Sequence, residues 1–173
     1  MSNIKINDTP TSLSSNSFFQ LSQEECNAIQ EECTHYEDMR AASIEALKII
    51  QKNHGWVPDE AIIFIAKILC ISAADLEGVA TFYNQIFRQP VGRHIIRYCD
   101  SAVCYLVGCE KIKNTLIYLL NIKVGNTTSD HRFTLLPTCC LGICDKAPVI
   151  MIDKDIYSCI VPETITKLLG QYL

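Results

Sequence analysis

The sequence predicts an α+β protein: an N-terminal helical bundle followed by a unit built on a small mixed β-sheet. Three observations carry that expectation. From Ser22 to Thr81 apolar residues recur at helical spacing, with caps and a left-handed stop between the runs. Beyond Gly92 the pattern shortens to runs rich in branched and aromatic residues, such as His94 to Tyr98. Two groups of thiols then follow two of these short runs, Cys99 with Cys104 and Cys139-Cys140 with Cys144.

The elements follow in order. Residues 1–20 carry Ser, Asn and Thr with one Lys and no Arg, a disordered polar lead rather than an Arg-rich transit peptide. Ser22 with Glu25 makes a capping box that opens a helix to about Tyr36. Met39, Ile44, Leu47 and Ile50 mark a second from about Asp38 to Asn53, stopped by Gly55. Pro58 suits the first turn of a third helix through Cys70, with Asp59 and Glu60 at its positive end, and Ser72 caps a fourth through about Thr81. This bundle, residues 21–90, ends near Pro90-Val91-Gly92. Residues 91–173 form the second unit: a strand at His94–Tyr98, then a long helix from about Ser101 to Leu120 with Val107, Ile112, Leu116 and Leu119 as its buried stripe. After the polar loop Gly125–Asp130 come strands at Arg132–Thr138, Val149–Ile152 and Ile156–Ile160, and a helix opening at Pro162. Helices are expected to cover the faces of the sheet.

Composition narrows the function. The 173 residues carry a net charge of −4 with a pI near 5.5, and no basic stripe offers itself to phosphates, so nucleic acid is a poor partner. The longest apolar run, Ala61 to Ile71, holds Lys67 and falls far below the roughly 20 residues a membrane span needs, so no direct membrane insertion is expected. Ten cysteines without a signal-peptide pattern point to a reducing compartment rather than an exported disulfide scaffold.

Thiolates in spaced pairs on loops suit a cluster in which two iron atoms each take a pair. If the strands before Cys99 and before Cys140 are parallel neighbours, both loops emerge at one end of the sheet. Zinc is the rival, yet structural zinc sites favour shorter spacings and the chain has no Cys-x-x-Cys, which also disfavours a thioredoxin-type dithiol. Cys26, Cys33, Cys70 and Cys159 are expected as small core residues. Spacing leaves the ligand choice open, because Cys104 and Cys109 are also four residues apart and Cys139 can stand for Cys140. His35, His54, His94 and His131 are expected as ordinary polar or capping residues, and Arg97 and Arg132 as solvated side chains able to offset negative charge. Val79, Phe82 and Tyr83 read first as core, second as an interface.

These residues resemble a known family, the thioredoxin-like 2Fe-2S subunit of the NADH dehydrogenase module of respiratory complex I. The resemblance rests on Cys99-x4-Cys104 with Gly108 behind it, on Cys140-Leu141-Gly142-Ile143-Cys144-Asp145 followed by Pro148, and on Gly55-Trp56-Val57-Pro58 and Gly78–Tyr83. It covers about Tyr36 to the C-terminus, departing at His131, where the family has glycine, and at the extra Cys139. It implies a helical bundle attached to a thioredoxin-like domain, with Cys99, Cys104, Cys140 and Cys144 binding one 2Fe-2S cluster and Cys109 and Cys139 as bystanders.

The same resemblance implies a non-catalytic redox subunit of an NADH:quinone oxidoreductase, a translocase of the respiratory chain, with no substrate site of its own. FMN and NADH would be bound by a flavin- and NADH-binding partner subunit, beside a large iron-sulfur subunit. The cluster would exchange one electron with that flavin and shorten the life of a radical that leaks to oxygen. The chain has no Gly-x-Gly-x-x-Gly, consistent with binding no dinucleotide. Its expected place is cytoplasmic, at the cytoplasmic face of the inner membrane through the complex. A diaphorase subunit of an NAD-linked hydrogenase or formate dehydrogenase is the near alternative, and a zinc-stabilised adaptor the distant one.

Overall fold

A computed structural model describes residues 19–172; the expected polar lead lies outside the described residues except for Phe19 and Gln20. The first helix, α1 (Gln23–Cys33), opens with the capping box: Ser22 Oγ accepts the Glu25 N–H at 3.1 Å and Glu25 accepts the Ser22 N–H at 2.9 Å. One 3-10 turn, Met39–Ala42, precedes α2 (Ser43–His54), which Gly55 ends at φ +80°. Pro58 is the cap of α3 (Asp59–Ile68) rather than a residue of its first turn, and Ser72 caps α4 (Ala73–Phe82). Ile29, Leu47, Ile50, Ile65, Leu69 and Leu76 are buried in one cluster among these helices. Met39, expected on the apolar stripe, is 46% exposed, because the turn before α2 swings it off the helix face.

The sheet has the order β2-β1-β3-β4, with β1 (His94–Cys99) parallel to β2 (Phe133–Thr138) and antiparallel to β3 (Ile150–Ile152), which pairs with β4 (Asp155–Tyr157). The expected long helix is two: α5 (Ala102–Val107) and α6 (Cys109–Leu120), broken at Gly108 with φ +105°. That break overturns part of the expected stripe, for Ile112 and Leu116 are buried while Val107 is 55% and Leu119 38% exposed. The C-terminal helix is α7 (Pro162–Leu169).

Alternation along the strands assigns the two faces. Ile96 and Tyr98 of β1, Phe133 and Leu135 of β2, and Ile150 and Ile152 of β3 pack in one buried cluster with α6 and α7. Ile95, Arg97 and Cys99 therefore point to the opposite face. There Arg97 meets the connection from the bundle rather than one of the expected covering helices, its guanidinium carbon 5.7 Å from the Phe87 ring. Gly92 fixes that connection against β2: its N–H donates to Thr134 Oγ1 at 2.6 Å, and a Cβ there would stand 2.9 Å from the Phe133 carbonyl carbon.

Arg88 anchors the same connection to the bundle, donating to the Val57 carbonyl and to the carboxylates of Glu77 and Asp59. Among the described residues no helix is long and apolar enough to cross a membrane.

Candidate metal centre

Parallel pairing of β1 with β2 decides the geometry of the cysteines. The register sets Cys99, the last residue of β1, opposite Thr138, the last of β2, so the chain leaves both strands at the same end of the sheet. Cys104 follows on α5, and Cys139, Cys140 and Cys144 follow β2 in a loop that bends at Gly142, φ +85°.

The thiols gather as two pairs. Cys140 Sγ and Cys144 Sγ lie 3.2 Å apart and are exposed, while Cys99 and Cys104 are each 2% exposed and share a cluster with Cys109 and Val149. Leu141 and Ile143, from the second loop, pack on that buried cluster, which brings the loops together. Among the described residues no three His, Cys, Asp or Glu side chains converge as ligands of a single ion. Tetrahedral zinc needs four donors around one centre; a binuclear cluster needs a pair for each iron. The donor set present, two soft pairs on adjoining loops, fits the second requirement.

The surroundings of Cys99 favour a thiolate. Burial opposes its ionisation, but the Ser101 N–H, the Cys104 thiol, the Ser101 hydroxyl and the Leu141 N–H are all directed at its sulfur and together hold it below the ordinary thiol value. Ser101 makes no side-chain cap on α5. Cys104 is pushed up to about 11, first by burial and then because it donates to Cys99. Its hydrogen bond to Cys140 raises Cys144, with burial adding to the effect. The Gly142 N–H reaches Cys140 Sγ at 3.4 Å.

The remaining thiols divide differently from expectation. Cys109 is buried beside Cys99 and Cys104, and burial followed by the charges of Glu110 and Asp100 raises it. Cys139 is exposed. Cys70 and Cys159, expected in the core, are exposed at φ +55° and +52°, where left-handed turns at element ends carry the side chain outward; Cys26 and Cys33 are only half-buried.

Arg97, expected in solvent, is 6% exposed. His54 and His94 have the expected polar role, at 2.8 Å from Glu25 and 2.7 Å from Asp153. Phe82 is 80% and Tyr83 42% exposed, so the core reading fails for both. Spacing did not reveal α5, where Cys104 alone is buried and Val103, Leu106 and Val107 form an outward stripe at i, i+3 and i+4 beside the thiols.

The family model for the thioredoxin-like [2Fe-2S] ferredoxin matches residues 29–173. The E subunit of the NADH-quinone oxidoreductase of Salmonella typhimurium is 64% identical over 154 residues, 89% of this chain and 93% of that protein. The proteins of the same name from Escherichia coli K12 and Pseudomonas aeruginosa are 63% and 59% identical, over 89% and 90% of this chain and 93% of each relative. Among solved structures, an NAD+-reducing [NiFe]-hydrogenase in the air-oxidised state superimposes with a TM-score of 0.60 at 22% identity, covering 78% of this chain and 22% of that one, a likeness of fold.

Proposed function

The chain belongs to the thioredoxin-like [2Fe-2S] ferredoxin family, and from that premise we propose that it is an electron-carrying subunit of an NADH:quinone oxidoreductase. The observation that carries this is the convergence of two thiol pairs at the end of parallel β1 and β2, in a chain 64% identical to a subunit so named. On this reading residues 21–90 are an accessory bundle and residues 91–173 the cluster-bearing unit. Cys99 and Cys104 would hold one iron, and Cys140 and Cys144 the other.

A bound 2Fe-2S cluster supplies a one-electron carrier. The protein supplies its electrostatics. Reduction adds negative charge, and the N–H groups of Ser101 and Leu141 aimed at Cys99 favour the more negative state, as does the Gly142 N–H at Cys140. The buried pair faces the protein interior and the exposed pair faces outward, so the electron partner approaches from the side of Cys140 and Cys144. The exposed apolar stripe of α5 follows directly on Cys99 and carries Cys104 on its helix, and a partner that covers it would exclude water from the site. FMN and NADH would belong to that partner, with a large iron-sulfur subunit beyond it, and attachment to a membrane would come through the assembly.

The test is low-temperature EPR on anaerobically purified chain before and after dithionite, with iron and zinc counted on the same sample. A signal near one spin per chain, appearing only on reduction, is expected. About one zinc per chain with no iron and no signal would replace this reading with the zinc-stabilised adaptor.

A further inference from the structure

A second surface lies at the opposite end of β1, where the bundle and the sheet unit part. It is an open cleft of about 1000 Å³ whose apolar wall includes Ile49 of α2, Phe87 and Val91 of the connection, and Ile95 of β1. Because β1 and β2 are parallel and the thiols follow their C-terminal ends, this cleft, bordered by Arg93 and His131 at their N-terminal ends, is separate from the candidate metal centre.

Its charges are unbalanced. Of the two acids on its rim, Glu45 is held by Lys48 at 2.8 Å, and Asp130 is held by the Thr128 hydroxyl and the Arg132 N–H. Lys52 and Arg93, both exposed on the rim, have no ion-pair partner among the described residues. Arg97 lies behind that rim, on the same strand face as Ile95 and against the Phe87 ring that lines the cleft, and is 6% exposed. The chain is acidic as a whole, so a cationic rim over an apolar wall is not a consequence of composition.

We propose that this cleft is a docking groove for an acidic segment of a partner subunit, anchored by apolar side chains on Ile49, Phe87, Val91 and Ile95 and steered by its carboxylates onto Lys52 and Arg93. The proposal rests on the subunit reading above. It would give the chain two docking faces with separate tasks, one at the thiols for the electron and one at the cleft for attachment. Attachment at the cleft would also hold the bundle and the sheet unit at one angle, since the connection from residue 83 to residue 92 otherwise joins them.

The test uses the assembled complex. A zero-length carbodiimide joins an amine to a carboxylate in contact with it, and mass spectrometry then identifies the residue linked to Lys52. The expected product joins Lys52 to an Asp or Glu of a partner subunit. The pair Lys52→Glu and Arg93→Glu, at exposed positions that leave the fold and the cluster spectrum intact, should weaken association about tenfold at low salt and less at high salt. A link from Lys52 only to this chain or to a second copy overturns the proposal. So does the absence of a link together with undiminished association of the charge-reversed variant. If the wild-type chain assembles with no partner at all, the subunit reading fails first, which separates the two failures.

Discussion

The sulfur atoms of Cys140 and Cys144 lie 3.2 Å apart across the bend at Gly142, while Cys139, one residue earlier, is exposed outside the pair. Ser at Cys99, Cys104, Cys140 or Cys144 is therefore expected to abolish or alter the reduced EPR signal and lower the iron content. Ser at Cys139 should leave both within error of wild type. An equal loss from Cys139→Ser would show that the ligand pair is not Cys140 with Cys144.

Leu106 is 83% and Val107 55% exposed on the stripe beside Cys104. Leu106→Glu should leave thermal stability and the cluster spectrum unchanged, yet weaken binding to the partner subunit proposed above by about 1–3 kcal/mol, the range of a well-buried interface anchor. Calorimetric titration of the two purified subunits measures it. Unchanged affinity would remove α5 from the interface.

Glu25 joins α1 to the end of α2, accepting from Asn53 Nδ2 at 2.9 Å and lying 2.8 Å from His54 Nε2. Burial works against its charge, but the hydrogen bonds from Asn53, the Ser22 N–H and His54 prevail and hold its carboxyl below the ordinary 4.5. A depressed folded-state value means the stabilisation is complete above the unfolded value and is lost as pH falls through the folded one. Urea midpoints should therefore fall below about pH 4.5 in the wild type. Glu25→Gln should be less stable by about 1–3 kcal/mol at pH 7 and lack that part of the acid dependence.

Gly92 has no room for a side chain, since an added Cβ meets the backbone of Phe133 and Arg132 at 2.9–3.0 Å. Gly92→Ala must push β2 or the connection aside. A loss of about 1–3 kcal/mol in chemical denaturation is expected. An equally stable alanine variant would mean that the connection shifts freely.

Local chemistry was legible in the chain. Ser22 with Glu25, the stop at Gly55 and the cap at Ser72 each act within one turn of backbone, so sequence neighbours suffice to write them. The break at Gly108 was not. In one continuous helix Cys104 and Cys109 would point about 140° apart, from 3.6 residues per turn, yet both are buried in the same small cluster. Two short helices on different axes satisfy both, and no periodicity records that requirement. The misplaced Cys70 and Cys159 have the same origin, because composition names cysteine as buried and a left-handed backbone at an element's end turns it outward.

By itself, the sequence determined that thiols would stand in spaced groups after two strands of an α+β protein, because ligand spacing and strand length are written along the chain. Only the tertiary structure decided which surfaces remain. Parallel pairing of β1 with β2 brings Cys99 and Cys104 to Cys140 and Cys144, and alternation in β1 sends Arg97 to the face where Phe87 of the connection meets it. Those outcomes depend on residues some forty positions apart meeting across a sheet, where register and packing, rather than local preference, set the energy.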